Sequence, residues 1–285
     1  MANRTSPTVR RRRLAAELKR LRKESGKTRE EVAEFVGCAP ATVTKIENAS
    51  NAAPPAYVAL MLELYGVTGD EREAWLTVAR QARKRGWWQQ YGGAIPAWFE
   101  VYVGLEEEAT EIRAYRPENV LGLLQTEEYI RAQILAEPRV PADEEIERRV
   151  AVRMKRQERL LADDAPEMWI VLNECAIRRE VGGREAMRRQ LQRLIEVSRL
   201  NTVTLQVLPF SAGAHPASHG PFNILGFREP ADPDIVYVEY RMGSIYLESP
   251  SEVATYTAIF DHLRARALGP DESRTLIAEV AEEMS

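Results

Sequence analysis

Ala41, Thr42, Thr44 and Lys45 form a short run suited to reading a base edge. Lys45 can donate to guanine acceptors, the threonine hydroxyls can donate or accept, and the Ala41 methyl can meet a thymine methyl. Thr28 and Arg29 stand where a helix start could grip a phosphate, and Asn48 could do the same on the other side. Upstream, Arg10, Arg11, Arg12 and Arg13 offer a sequence-independent attraction to DNA that weakens with salt. The run at 41–45 is poor in hydrogen-bond donors, so phosphate contacts and DNA shape are expected to carry much of the recognition.

Other constellations point less sharply. His215 and His219 lie four apart between Gly213 and Gly220. A loop lacks the fixed geometry of a helical pair and no third ligand is evident, so neither a metal nor a cofactor is expected. Trp87, Trp88, Tyr91, Trp98, Phe99 and Tyr102 suggest a core or dimer interface, the alternative being one wall of an apolar ligand pocket. Arg148, Arg149, Arg153, Arg156 and Arg159 look like a mostly solvated helix face, the alternative being a site for an acidic partner or ligand. Cys175 has no histidine placed to activate it, which favours a buried, inert thiol. There is no phosphate loop, nucleophile elbow or zinc-finger spacing, so an enzyme is not expected. A deep polar pocket with strongly perturbed titratable groups would reopen that question.

The elements that must position the base-reading run are a pair of short helices. Val32, Val36, Val43 and Ile46 fall at spacings that let two helices share a core, and Ala33 is small where they approach. Thr28 with Glu31 forms a capping box that opens the first helix. Gly37 supplies the sharp turn, and Pro40 suits the first turn of the second helix. A preceding helix carries Leu14, Leu18 and Leu21 and stops at Gly26. A helix over about 56–65 and another opened by Asp70 and Glu73 and running to about Lys84 complete five helices. Residues 1–9 are polar and expected to be disordered.

From residue 86 the character changes. Residues 86–96 suggest a linker, followed by helices over 98–114, 126–137 and 142–161. Short β-rich runs follow at Met168–Leu172, Val203–Leu208, Phe222–Phe227 and Ile235–Tyr240, with a helix near 184–199 between the first two. Ser249, Pro250 and Glu252 open a helix to about Leu268, and Asp271 opens the last one. The expected architecture is an α+β multidomain protein. An all-α helix-turn-helix domain over 1–85 precedes a C-terminal domain over 97–285, which has a mainly helical segment and then an α+β part with a small, largely antiparallel sheet.

Charge supports this division. The 285 residues carry a net charge of −4, but residues 1–48 hold 12 Lys/Arg against 6 Asp/Glu, and the remainder 27 against 37. A basic head on an acidic body fits a DNA-binding module attached to something else. Two cysteines give no disulfide framework, and neither a membrane-length apolar run nor a signal peptide is present. The cytoplasm is the expected location.

Residues 28–48 resemble the Xre family of helix-turn-helix repressors, through Ala33, Gly37, Val43, Ile46 and the Lys45-Ile46-Glu47-Asn48 ending. The resemblance implies a lambda-repressor-like domain in which Arg22 and Glu47 form a structural pair. Pro40 and Ala41 depart from the glutamine or serine common in the family, so bidentate adenine reading is not expected. Residues 87–285 resemble the antitoxin-like C-terminal domain of actinobacterial (Streptomyces-type) Xre regulators. The carriers are Ile95–Phe99, Leu105–Ala109, Gly122–Tyr129, Arg153–Gln157, Leu205–Pro209 and Tyr237–Tyr240. Gene regulation follows from the resemblance, often beside a small partner protein encoded nearby.

The expected function is a sequence-specific transcriptional regulator that binds double-stranded DNA as a homodimer at a two-fold related operator. The C-terminal domain would serve dimerisation, partner docking or ligand sensing. The alternative is an antitoxin-like adaptor that sequesters the small partner and binds DNA for autoregulation.

Overall fold

The computed structural model describes residues 7–84, 86–228 and 232–284. The chain divides between Gln90 and Tyr91. That point lies inside the expected linker, which itself holds a 3-10 turn, Trp87–Tyr91.

Five helices build the first domain: α1 (Pro7–Glu24), α2 (Arg29–Val36), α3 (Pro40–Glu47), α4 (Pro55–Leu64) and α5 (Gly69–Gln81). The expected disorder at 1–9 is corrected in part. Residues 7–9 already belong to α1, where Val9 is buried, and residues 1–6 lie outside the described residues. Leu14, Leu18, Val32, Val43, Val58, Met61 and Leu62 form one core, each no more than 2% exposed. Thr28 accepts from the Glu31 N–H at 3.2 Å while Glu31 accepts from the Thr28 N–H at 2.8 Å, closing the capping box. Gly37 takes φ +74° at the turn, a conformation that is cheap only for glycine. The Asp70–Glu73 capping box does not form. The helix begins one residue earlier, at Gly69, so Asp70 lies in its first turn, where a carboxylate favours the helix dipole.

The second domain runs α6 (Ala97–Glu108), β1 (Glu111–Arg116), α7 (Glu127–Leu135), α8 (Asp143–Gln157), β2 (Glu167–Asn173), α9 (Glu174–Arg178) and α10 (Arg184–Val197). It continues with β3 (Val203–Leu208), β4 (Phe222–Gly226), β5 (Ile235–Tyr240), β6 (Gly243–Leu247), α11 (Pro250–Arg266) and α12 (Pro270–Glu283). The strands form one sheet in the order β3-β2-β1-β4-β5-β6. β1, β2 and β3 pair in parallel, whereas β4, β5 and β6 add antiparallel. The sheet is therefore mixed, not largely antiparallel. The expected helix over 98–114 hid β1: it ends at Glu108, and the next residues become the central strand. Parallel pairing needs a crossover between neighbouring strands, and the helices between β1 and β2 and between β2 and β3 supply it.

Alternation along the strands gives the sheet two different faces. Tyr115, Val171, Phe222, Ile224 and Val236 meet Phe260 and Leu263 of α11 in an apolar core. Arg116 and Asn223 alternate to the other face, where Asn223 Nδ2 donates to the Tyr102 hydroxyl of α6 at 2.8 Å. A smaller cluster of Ile130, Ile134, Ile146 and Val150 joins α7 to α8. Between β1 and α7 the buried chain 120–126 would strand its backbone polar groups without partners. Three glutamines serve it: Gln157 bonds the Gly122 and Gln125 carbonyls, Gln125 the Val120 carbonyl, and Gln190 the Leu124 carbonyl and Thr126 N–H.

Two expectations about charge and aromatics change. The arginine run is not a solvated face. Arg148 is exposed, Arg149 and Arg153 are partly buried, and Arg156 and Arg159 are each 7% exposed. Helical spacing brings 149, 153 and 156 onto the side of α8 that faces the domain. The aromatic cluster is split by the domain division. Trp87 and Trp88 meet edge to face at 5.9 Å in the first domain, whereas Phe99 stacks on Tyr102 at 5.3 Å, with Trp98 against its edge, in the second.

Candidate functional site

α2 and α3, joined through Gly37, form the helix-turn-helix. On α3, Val43, Ile46 and Glu47 point inward and are buried, which fixes what the other side presents. Ala41, Lys45 and Asn48 are exposed and fall at i, i+4 and i+7 of one face. Thr42 and Thr44 flank that face and are partly exposed; the Thr44 hydroxyl donates to the Pro40 carbonyl at 3.3 Å. The face thus carries one mobile cation, two hydroxyls, one methyl and one amide.

The ends of this face are held by polar contacts. Glu47 has a fully buried side chain; Arg22 donates to its two carboxylate oxygens from Nε at 2.5 Å and Nη2 at 3.2 Å. Arg22 also caps the Lys27 carbonyl at 2.9 Å, so a single guanidinium ties α1, the loop before α2 and the end of α3 together. Hydrogen bonding to Glu47 raises the Arg22 pKa above its usual value, although burial opposes the charge. Arg29, expected as a phosphate ligand, donates from Nε to Glu47 Oε2 at 3.0 Å and keeps 36% of its side chain exposed. Thr28 is equally committed. Its hydroxyl accepts from the Glu31 N–H and donates to the Glu31 carboxylate at 3.1 Å, leaving the first-turn N–H groups of Arg29 and Glu30 as the donors without a helical partner. Behind Asn48, Ala49 takes the left-handed conformation at φ +54°, and the Ser50 N–H bonds the Lys45 carbonyl at 2.9 Å.

The arginine run at the start of the chain is less unified than its sequence suggests. Arg10, Arg11, Arg12 and Arg13 are consecutive residues of α1, each partly exposed, and consecutive helical residues are turned about 100° from one another. Four such side chains encircle the helix and cannot all meet one surface. Arg11 is the most inward: its Nε is buried without a partner, and burial pulls its pKa below the usual value.

In the second domain His215 lies beside Tyr115, with Nε2 at 3.4 Å from the phenol oxygen. Among the described residues no group of three metal-donor side chains comes together. Cys175 is partly exposed, not buried, with its sulfur 3.6 Å from Arg179 Nη2. No described helix is long and apolar enough to cross a membrane.

Sequence comparison agrees with this division of the chain. A helix-turn-helix domain family matches residues 13–75, which include α2 and α3, and supports a DNA-binding regulator. A family described as a domain of unknown function (DUF5753) matches residues 99–279, from the start of α6 to within α12. No curated protein and no solved structure matches the chain. With well over half of its residues inside that second match, the chain belongs to the DUF5753 family, and it carries a helix-turn-helix domain on the N-terminal side of the family's domain.

Proposed function

We propose that the protein is a sequence-specific, non-enzymatic transcriptional regulator of the actinobacterial Xre type, acting in the cytoplasm as a homodimer on a two-fold related operator. The observation that carries this reading is the exposed face of α3, where Ala41, Lys45 and Asn48 line up and Thr42 and Thr44 flank them, above a core that fixes the helix. A helix of this kind placed in the major groove brings its N-terminal half to the base edges. One such face offers few contacts, and a second half-site supplies the affinity that one module lacks. Arg22 and Glu47 act as the structural pair, so Glu47 is not a DNA contact. The antitoxin-like C-terminal domain dimerises and responds to a small molecule.

Selection of bound duplexes from a random pool tests this reading. The expected result is enrichment of two related half-sites in inverted orientation, with binding that weakens steeply with salt. Lys45→Ala combined with Thr42→Ala should lower affinity for the selected duplex by about tenfold or more while leaving the thermal unfolding unchanged. Unchanged affinity would remove the base-reading assignment, and failure to enrich any sequence would remove sequence-specific regulation altogether.

A further inference from the structure

The second domain has a cavity of about 1110 Å³ that is open to solvent on one side, a little larger than most small-molecule sites. Its walls come from α6, the end of β1, the 120–125 segment, α8, β4, β5 and the loop through His215. The arginines on α8 that looked like a surface face are among its lining residues.

The charges of this cavity do not balance. Glu106 binds Arg156 through two bonds of 2.7 Å, and both side chains are nearly fully buried. Glu137 is taken by Arg149, and Glu118 lies 3.9 Å from Arg179. Glu239 is exposed and accepts from the Tyr237 hydroxyl at 3.0 Å. Three guanidiniums remain on the wall with no carboxylate among the described residues within ion-pair distance: Arg116, Arg153 and the exposed Arg241. Arg116 donates only to neutral acceptors: the Tyr115 and Phe222 carbonyls and Asn223 Oδ1. Arg153 has a single long bond, 3.4 Å, to Gln133 Oε1. Burial, then the neighbouring Arg156, pulls the Arg153 pKa down to about 10, and the more distant Glu239 and Glu137 offset this only in part. A charge partly withdrawn from water is favoured by an opposite charge beside it.

Other features of the wall are apolar. Trp98 and Phe99 are partly exposed, and Phe99 is braced by Tyr102 and by the Arg156 guanidinium 5.0 Å from its ring centre. Gln125 is 4% exposed, yet its Oε1 has no partner in the protein; buried His215 Nδ1 likewise has none. Both residues line the cavity, but these two atoms are sealed behind its wall.

We propose that this cavity binds a small organic acid, whose anionic group pairs with Arg153 and whose flat apolar body lies along Trp98 and Phe99. The proposal gives the responsive role of the second domain a ligand class, and it stands on the cavity without depending on DNA binding.

Two fluorescent probes that share one ring system separate the terms: anilinonaphthalene sulfonate, which is anionic, and phenylnaphthylamine, which is neutral. The full chain is expected to bind the sulfonate saturably at one site and more tightly than the neutral probe. Arg153→Gln should weaken the sulfonate by about tenfold or more and leave the neutral probe unchanged, while Arg153→Lys retains most of the affinity. Equal binding of the two probes by the unmodified chain would overturn the proposal, as would sulfonate binding indifferent to both substitutions. If Arg153→Gln does not fold, the probe pair and Arg153→Lys still decide. Duplex binding by the same preparations keeps the questions apart: loss of DNA binding with the probe result intact removes the regulator reading and leaves the cavity assignment standing.

Discussion

Glu47 in the first domain and Glu106 in the second are both buried carboxylates held by guanidinium groups, yet they leave opposite situations behind them. Two arginines share Glu47, and both retain contact with water, Arg22 at 12% and Arg29 at 36% side-chain exposure. The surplus positive charge of that triad is therefore hydrated. Glu106 serves Arg156 alone, and the further cations, Arg153 and Arg116, line a cavity open on one side. The same ion-pair chemistry closes a helix junction in one place and charges a hollow in the other. What differs is where the unneutralised guanidinium points, and that decides whether a charge is structural or available to a ligand.

The comparison can be broken at several points. Glu106→Gln should have the largest effect, because Arg156 would stay buried with its charge unpaired. A loss of about 3–5 kcal/mol in the second domain is expected, read as a lowered unfolding midpoint in denaturant. Replacing both partners with apolar residues should restore much of that loss, and a single variant costing under about 1 kcal/mol would show that the pair is not sealed from water. Glu47→Gln should cost less, about 2–3 kcal/mol, since Arg22 and Arg29 can be rehydrated; the first domain's unfolding reports it. Equal costs at the two sites would erase the distinction.

Smaller tests sharpen it. Ala49→Gly removes a left-handed strain directly behind α3, and should stabilise the first domain by about 0.5–1 kcal/mol. All three histidines lie in the second domain, so mild acid touches only that side of the comparison. Burial, then the nearby Arg266 and His262, holds the His215 pKa below its usual value. The unfolded chain thus binds that proton more readily, and stability should fall as pH drops below about 6.5. His215→Gln should flatten the fall. An unchanged pH profile of unfolding would show that the loop is open to water.

Legibility in the sequence followed contact distance along the chain. The helix-turn-helix was plain because its determinants lie within a turn or two of one another. Thr28 finds Glu31 three residues away, Gly37 reports its own backbone conformation, and Val43 and Ile46 share a helical face. Only the second guanidinium on Glu47 escaped notice, because Arg29 is 18 residues from its partner and reads equally well as a phosphate ligand. In the second domain β1 was hidden by an apolar run continuous with α6. The cavity was invisible for a stronger reason: Arg156 and Glu106 are 50 residues apart, and Tyr102 and Asn223 are 121 apart. No local pattern distinguishes a charged helix face that meets water from one that meets a hollow.

By itself, then, the sequence determined the local devices: the caps, the turn at Gly37, the apolar stripes of α2 and α3, and most of the strands beyond residue 160. These depend on backbone preferences and on side-chain periodicity, which any short stretch carries within it. The tertiary structure alone decided the parallel half of the sheet, the position of β1 at its centre, the burial of Arg156 and the partial burial of Arg153. Those outcomes depend on which distant surface comes to lie opposite. A guanidinium that would be an ordinary solvated charge becomes an anion site only when the surrounding elements take its water away.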